Sequence, residues 1–287
     1  MITEEQREIR NSGIGGSDAA AACGLSKYQT RAELFLRKKG QIPYEDDIGD
    51  AAHFGNILEE IVAQEFTRRT GIAVQRKNPT IRHKQHAFML CHVDRKVVGK
   101  DEGLECKTIN AYSGSSLTEP LDEHVIQVQH MMACTGWKSF YVAYLIGGQK
   151  FQVFVVERDE EMIAALIDAE EEFWGYVLLD QMPPMDPDHE STDDLLKRLY
   201  PGTSGATIEF SDDLLAWHQV LREAKDLEAN YRLAADSAKR HLLIAMKEAA
   251  IGKFPDGSMY VRKLVSKKSF QVEATSYIDF RYKTPKE

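Results

Sequence analysis

The sequence predicts an α/β (α+β) fold: a mixed central sheet flanked by helices, followed by a C-terminal helical arm and a small β hairpin. Three observations predict it. Between Phe54 and Thr70 the apolar residues Phe54, Ile57, Leu58, Ile61, Val62 and Phe66 recur at helical spacing. The runs 87–93 and 104–109, with the pair "SFYVAYLI" and "KFQVFVVE", have strand composition. Helical stretches precede, separate and follow these strands, which is the order of a sheet covered by helices.

Taken in order, residues 3–12 predict a short helix that ends at a glycine loop. Ala19–Ala22 and Arg31–Lys39 predict two further helical pieces, with "GLSKYQT" as the turn between them and Gly40 as a C-cap. Residues 41–50, "QIPYEDDIGD", read as an exposed acidic loop. The amphipathic helix follows and stops at Gly71. Strands are expected at 72–76, 79–82, 87–93 and 104–109, the last two joined by a turn at 99–103. Residues 124–135 read as helix. "GGQ" between the next two strands is a hairpin signal, and 159–179 predicts an acidic amphipathic helix. The Pro-rich "QMPPMDPDHE" at 181–190 is the best boundary. The expected organisation is therefore a core domain at 1–180, a Pro/Gly-rich linker region at 181–210, and a helical arm with a β hairpin at 211–287. The arm reads as one long helix or two hairpinned ones over 211–250, with an apolar seam of Leu214, Leu215, Leu221, Leu227 and Leu233. The hairpin is expected at 258–273, with Arg262, Lys263, Lys267 and Lys268 near its turn.

Composition is that of an ordinary globular protein, 43% hydrophobic and 28% charged over 287 residues. No apolar run approaches the roughly 18 residues that span a bilayer. The charged N-terminus does not read as a secretory signal. Cys23, Cys91, Cys106 and Cys134 are scattered without zinc-ligand spacing, as expected of reduced cytoplasmic thiols. A formal net charge of −9 excludes binding of nucleic acid by bulk charge. A DNA partner has to be held by local basic groups or through cations. The pairs Arg68–Arg69, Arg76–Lys77 and Arg82–Lys84 and the group Arg95, Lys96 and Lys100 are candidates, with Arg95 foremost because it adjoins Asp94.

Two features carry chemistry. The first is "RNSGIGGSDAA" at 10–20, a glycine loop entering a helix, where exposed N–H groups attract anions. It lacks the Walker lysine and follows a charged helix rather than a strand, so it is no nucleotide fingerprint. Asp18 fits a helix cap better than an anion ligand.

The second feature is acidic. Glu105 and Lys107 in "GLECKT" lie two apart in a strand and project from one face, with Leu104, Cys106 and Thr108 on the other. Asp94, ending "FMLCHVD", joins them if its strand pairs across the 99–103 turn. Glu59 lies at the edge of the apolar stripe of its helix, Glu60 further out, and Glu65 nearer the centre, where it pairs with a base or serves the site. Gln127 and Gln129 sit on a helix among apolar neighbours and need hydrogen-bond partners. An E-x-K in a strand is by itself usually a surface ion pair. Converging carboxylates suit a hard cation such as Mg²⁺ or Mn²⁺, and a lysine beside them suits phosphodiester hydrolysis.

Together, "RNSGIGGSDAAAACGLSKYQT", "FGNILEEIVAQEFTRRTG", "CHVD", "GLECKT" and "VIQVQHMMACTG" resemble the successive motifs of the YqaJ-type viral recombinases. These are grouped with lambda exonuclease in the PD-(D/E)xK nuclease superfamily. The resemblance runs from about residue 7 to about residue 179 and implies a restriction-endonuclease-like core. It implies a Mg²⁺-dependent 5′→3′ exonuclease on linear double-stranded DNA that exposes 3′ strands for phage-type recombination. Asp94, Glu105, Lys107, Glu59 and Gln127 match its catalytic residues. Asp94, Glu105, Glu59 and the Cys106 carbonyl match its metal ligands, and Arg10 and Ser17 the residues that receive a 5′ phosphate. Val93 stands where the superfamily has its proline. The resemblance also implies a homo-oligomer, a trimeric ring, with a single-strand annealing partner and a phage or prophage gene expressed in the bacterial cytoplasm. An internally cutting endonuclease of the same fold shares every one of these residues. A DNA-binding scaffold without catalysis is the third reading.

Overall fold

The computed structural model describes residues 4–42, 49–112 and 117–266, without the side chains of Gln6 and Asn78. It divides into two compact units, Met1–Leu199 and Tyr200–Glu287.

The first unit opens with α1 (Glu4–Asn11), a short 3₁₀ turn at Gly16–Asp18, α2 (Ala19–Ala22) and α3 (Arg31–Lys38). Thr30 starts α3 by accepting a hydrogen bond from the Glu33 N–H at 3.1 Å. Next come α4 (Gly49–Thr70), β1 (Val74–Arg82), β2 (Leu90–Val97), β3 (Glu102–Ile109), α5 (Asp122–Thr135), β4 (Ser139–Ile146), β5 (Lys150–Glu157), α6 (Glu160–Leu179) and α7 (Thr192–Leu199). The strands form one sheet in the order β1-β2-β3-β4-β5. β3 and β4 are parallel, joined by the α5 crossover, and every other neighbouring pair is antiparallel.

Period-2 alternation builds both faces of the sheet. Phe140, Val142, Tyr144 and Ile146 of β4 pack with Val128, Met131 and Met132 of α5 and Ile163 of α6. On the opposite face Leu104 and Ala143 pack with Val62, Ala63 and Phe66 of α4. A third cluster gathers Leu34, Phe35 and Leu36 of α3 with Phe173 and Val177 of α6 and Leu195 of α7.

One irregularity positions the site. Arg76 pairs with Arg95 and Lys77 pairs with Val93, so Asp94 is an extra residue in β2. Such a bulge reverses the alternation of the strand and re-aims side chains. Val93 therefore lies on the α5 face, while Arg95 emerges towards α4. The ladder between β2 and β3 contains only Arg95↔Leu104 and Lys96↔Gly103. Asp94 thus lies within β2 rather than ending it, because the strand runs on to Val97.

Other expectations are adjusted in the same way. The strands expected at 72–76 and 79–82 are one strand, β1, irregular between Lys77 and Ile81. The acidic loop at 41–50 falls largely outside the described residues, and its last two residues already belong to α4. The apolar stripe of α4 is buried only in its second half: Phe54, Ile57 and Ile61 are each about half exposed. The region expected as a linker contains α7, whose Leu195 is 2% exposed and packed in the first unit.

The second unit contains α8 (Asp213–Met246), a single helix of 34 residues with none buried, so the leucine seam is exposed. It is followed by β6 (Ile251–Lys253) paired with β7 (Met259–Val261). This hairpin turns at Asp256–Gly257, while the turn expected near Lys267 and Lys268 lies outside the described residues.

Candidate active site

Asp94, Glu105, Lys107 and Gln127 come together where β2 parts from β3. The Cys106 N–H donates to Asp94 Oδ2 at 2.8 Å, so a side chain takes over where the ladder stops. Lys107 Nζ donates to Gln127 Oε1 at 2.8 Å and pairs with Glu105 Oε1 at 2.9 Å. Gln127 Nε2 donates to the same Glu105 oxygen at 2.7 Å. Gln127 therefore orders the lysine and the carboxylate at once. Gln129, its neighbour in sequence, is structural: it donates to Glu157 O and accepts from the Asp159 N–H.

The second Glu105 oxygen, Oε2, is buried and accepts no hydrogen bond from the described residues. A bare buried carboxylate oxygen is costly and asks for a cation. Burial, then the neighbouring charge of Glu105, pushes Asp94 well above the usual carboxylate range; the Cys106 N–H opposes this without cancelling it. Burial disfavours the Lys107 ammonium, but the Glu105 ion pair and hydrogen bond and the Asp94 charge hold its pKa above the ordinary lysine value. Lys107 is thus a fixed positive charge at neutral pH.

Glu59 is placed differently from expectation. It accepts from Arg95 Nη1 at 2.5 Å, while Glu60 accepts from Arg95 Nη2 at 2.9 Å and from Arg76. Glu60 is therefore a paired charge rather than a merely solvated one. The Glu59 charge still raises the pKa of Asp94, so it lies within electrostatic reach of the pair. Among the described residues no group of three or more His, Cys, Asp or Glu side chains is gathered for a metal. The donors are a pair, Asp94 and Glu105, with the Cys106 carbonyl between them in sequence. A pair fits Mg²⁺, which keeps most of its waters and takes one or two carboxylates.

Arg95 is corrected as a DNA contact. It is 4% exposed, and its guanidinium is taken up by two carboxylates and the Asp94 carbonyl. Most other basic clusters are also engaged locally. Arg68 and Arg69 pair with Glu65, Lys96 with Asp101, and Lys100 with Glu102, while Arg82 holds Ser12 and the Ala87 carbonyl.

The glycine loop forms a cavity of about 290 Å³ lined by Arg10, Gly15, Ser17, Asp18, His92 and Gln127, among others. Ser17 and Gln127 also line a wider groove of about 780 Å³ that contains Lys107, Lys27 and Tyr28. The wall they form links the cavity to the carboxylate–lysine cluster. Asp18 does not cap α2 with its side chain. It accepts instead from the Gly15 N–H and pairs with Lys38. The glycines act less on a ligand than on the fold: a Cβ at Gly13 would stand 2.3 Å from the Phe88 carbonyl oxygen. That closeness lets Ile14 bond to Phe88 and Leu90 and fastens the loop to the start of β2. Lys38 is the residue sequence reasoning missed, because a lysine at a helix end gives no sign of being buried.

The five-stranded mixed sheet with its helical layers, and acidic side chains where two central strands part, defines a protein of the PD-(D/E)xK-like fold. Residues 6–138 match the YqaJ-like viral recombinase domain, so the resemblance to that family, carried by the motifs, is shown. Over 210 residues the chain is 42% identical to the uncharacterized protein YqaJ of Bacillus subtilis strain 168, covering 71% of this chain and 65% of that one. The chain thus spans just under two thirds of that curated relative. The fold is similar to that of an alkaline exonuclease from Laribacter hongkongensis, with a TM-score of 0.54 at 20% identity, over 69% of this chain and all of the other. The same exonuclease in complex with dAMP gives a TM-score of 0.53.

Proposed function

We propose that the chain is a divalent-metal-dependent exonuclease that digests linear double-stranded DNA 5′→3′ from a 5′-phosphorylated end. One observation carries the reading: Glu105, whose buried Oε2 accepts no hydrogen bond from the described residues, is paired with the charged Lys107 and lies within electrostatic reach of Asp94. The YqaJ-like domain and the likeness to an exonuclease fold support a nuclease acting on DNA.

Asp94 and Glu105, with the Cys106 carbonyl, would hold Mg²⁺ or Mn²⁺, which when bound polarises a phosphate and lowers the pKa of a water. Lys107 would place its ammonium against the charge that develops on the phosphate. Gln127 keeps that ammonium and Glu105 in register through both ends of its amide. Glu59, held by Arg95, adds negative potential from the α4 side. Arg10 would receive the terminal 5′ phosphate with its guanidinium and Ser17 with its hydroxyl. The 3′ overhang so produced is what a single-strand annealing partner would take. Assembly as a ring remains part of the proposal.

The test is digestion of end-labelled duplex with Mg²⁺, comparing 5′-phosphate, 5′-hydroxyl and closed circular substrates. The expected order is fast, slow and none. Lys107→Ala should lower turnover by about 10²-fold or more while duplex binding persists. Equal loss of linear and circular DNA would instead establish an internally cutting enzyme.

A further inference from the structure

Lys38 is the last residue of α3, and its side chain is 0% exposed. A buried ammonium has to be paired and hydrogen-bonded. Its Nζ donates to the Arg10 carbonyl oxygen at 2.7 Å and to Asp18 Oδ2 at 2.6 Å. The same Asp18 oxygen accepts from the Gly15 N–H at 3.2 Å. One nitrogen therefore ties the end of α1 and the far side of the glycine loop to α3.

Both tied edges belong to the cavity that holds Arg10 and Ser17. Asp18 is on its wall as well, where a bare carboxylate would repel a phosphate. Lys38 stands behind that wall and cancels the charge without reaching the cavity. Arg10, itself in the cavity lining, adds its charge to this compensation, and that charge bears on both Asp18 and His92.

We propose that Lys38 is the positioning residue of the end-phosphate cavity, setting the Arg10 and Ser17 edges and neutralising Asp18 so that the cavity accepts an anion. This rests on the reading of that cavity as the terminal-phosphate site. Burial works against the Asp18 carboxylate, but Lys38, the Gly15 N–H and Arg10 outweigh it and hold Asp18 below the usual carboxylate range. The Asp18 carboxylate on the cavity wall is therefore charged at neutral pH and has its partner in Lys38.

The experiment measures duplex binding in chelator, where no hydrolysis occurs, for otherwise identical 5′-phosphate and 5′-hydroxyl ends. The readout is the ratio of the two dissociation constants, which a purely structural lysine would leave unchanged. Wild type should favour the phosphate, and Lys38→Met should lower that preference by about tenfold, since one partner of a buried charge pair is removed. Lys38→Met combined with Asp18→Asn should recover most of it, because the repelling charge goes too. Asp18→Asn alone keeps Lys38 and should hold or raise the preference, and it decides the matter if Lys38→Met does not fold. Equal binding of both ends by wild type overturns the reading of the cavity itself. A wild-type preference that survives Lys38→Met, or that Asp18→Asn destroys, overturns the role of Lys38 while leaving the cavity reading intact.

Discussion

Arg95 illustrates how a residue's neighbours in space override its neighbours in sequence. Beside Asp94 in the chain it looks like a hand for DNA. The extra residue in β2 turns it to the α4 face, where Glu59 and Glu60 close on it. Its charge is used inside the protein, so Arg95→Met should leave the salt dependence of duplex binding unchanged. A lost phosphate contact would lower the slope of log K against log salt by about 1, and that result would reinstate the DNA contact. Turnover should nevertheless fall, by roughly tenfold, because Glu59 loses the group that fixes it near Asp94. Glu105 and Lys107 were legible from spacing, since strand alternation puts them on one face, whereas Gln127 was singled out only by the resemblance of its motif. The bulge at Asp94 was not legible, because no glycine or proline marks it and its consequence is a change of face. Lys38 was hidden for a related reason: its partners, Arg10 and Asp18, lie 28 and 20 residues away.

At the level of elements, α4 shows what periodicity conveys and what it leaves out. The spacing of its apolar residues predicts the helix, which begins earlier than the stripe, at Gly49. It does not say how much of the stripe the sheet covers. Val62, Ala63 and Phe66 reach Leu104 and Ala143, whereas Phe54, Ile57 and Ile61 lie beyond that contact. Phe66→Ala should therefore cost about 3–5 kcal/mol in urea unfolding, the range for emptying an aromatic site in a core. Ile57→Ala should stay within roughly 0.5 kcal/mol, as a surface change does. Similar losses for the two would mean that the whole stripe is covered. β4 and β5 were read to the residue, because a glycine turn with two positive φ values joins two unbroken apolar runs. β1 was split in two at residues 77–78, although the chain runs on through them as one strand. Three residues, Asn78, Pro79 and Thr80, stand between Lys77↔Val93 and Ile81↔Cys91 against His92 alone in β2, and this irregularity hides the continuity of the strand.

For the whole molecule, α5 and α6 of the first unit are locked together by a buried charge pair and the unit is closed by α7, and both give predictions. His130 of α5 donates through Nδ1 to Glu170 of α6 at 2.8 Å and through Nε2 to the Leu90 carbonyl at 2.9 Å, with both side chains 0% exposed. Burial opposes its charge, but Glu170 and the Leu90 carbonyl outweigh burial and raise the pKa to about 9. The folded value exceeds the unfolded one, so this stabilisation is complete below pH about 6.5 and is lost as pH rises through about 9. Wild type should lose unfolding free energy between pH 6.5 and 9.5, and Glu170→Gln, lacking the pair, should lose less over the same interval. Parallel curves would show that other groups govern the alkaline limb. The segment after α6 is tied to the first unit by His189, which donates to the Ser26 carbonyl, and by buried Thr192 and Leu195. A chain ending at residue 199 should keep this core. One ending at residue 180, at the boundary that the prolines suggest, uncovers the site of Leu195 beside Phe173 and Val177. Burying a leucine contributes about 1.5–3 kcal/mol, so the shorter chain should be less stable by at least that amount. Equal melting of the two would place the end of the domain at the prolines; a lower midpoint for the shorter chain, with metal-dependent digestion retained by the longer, would place it after α7.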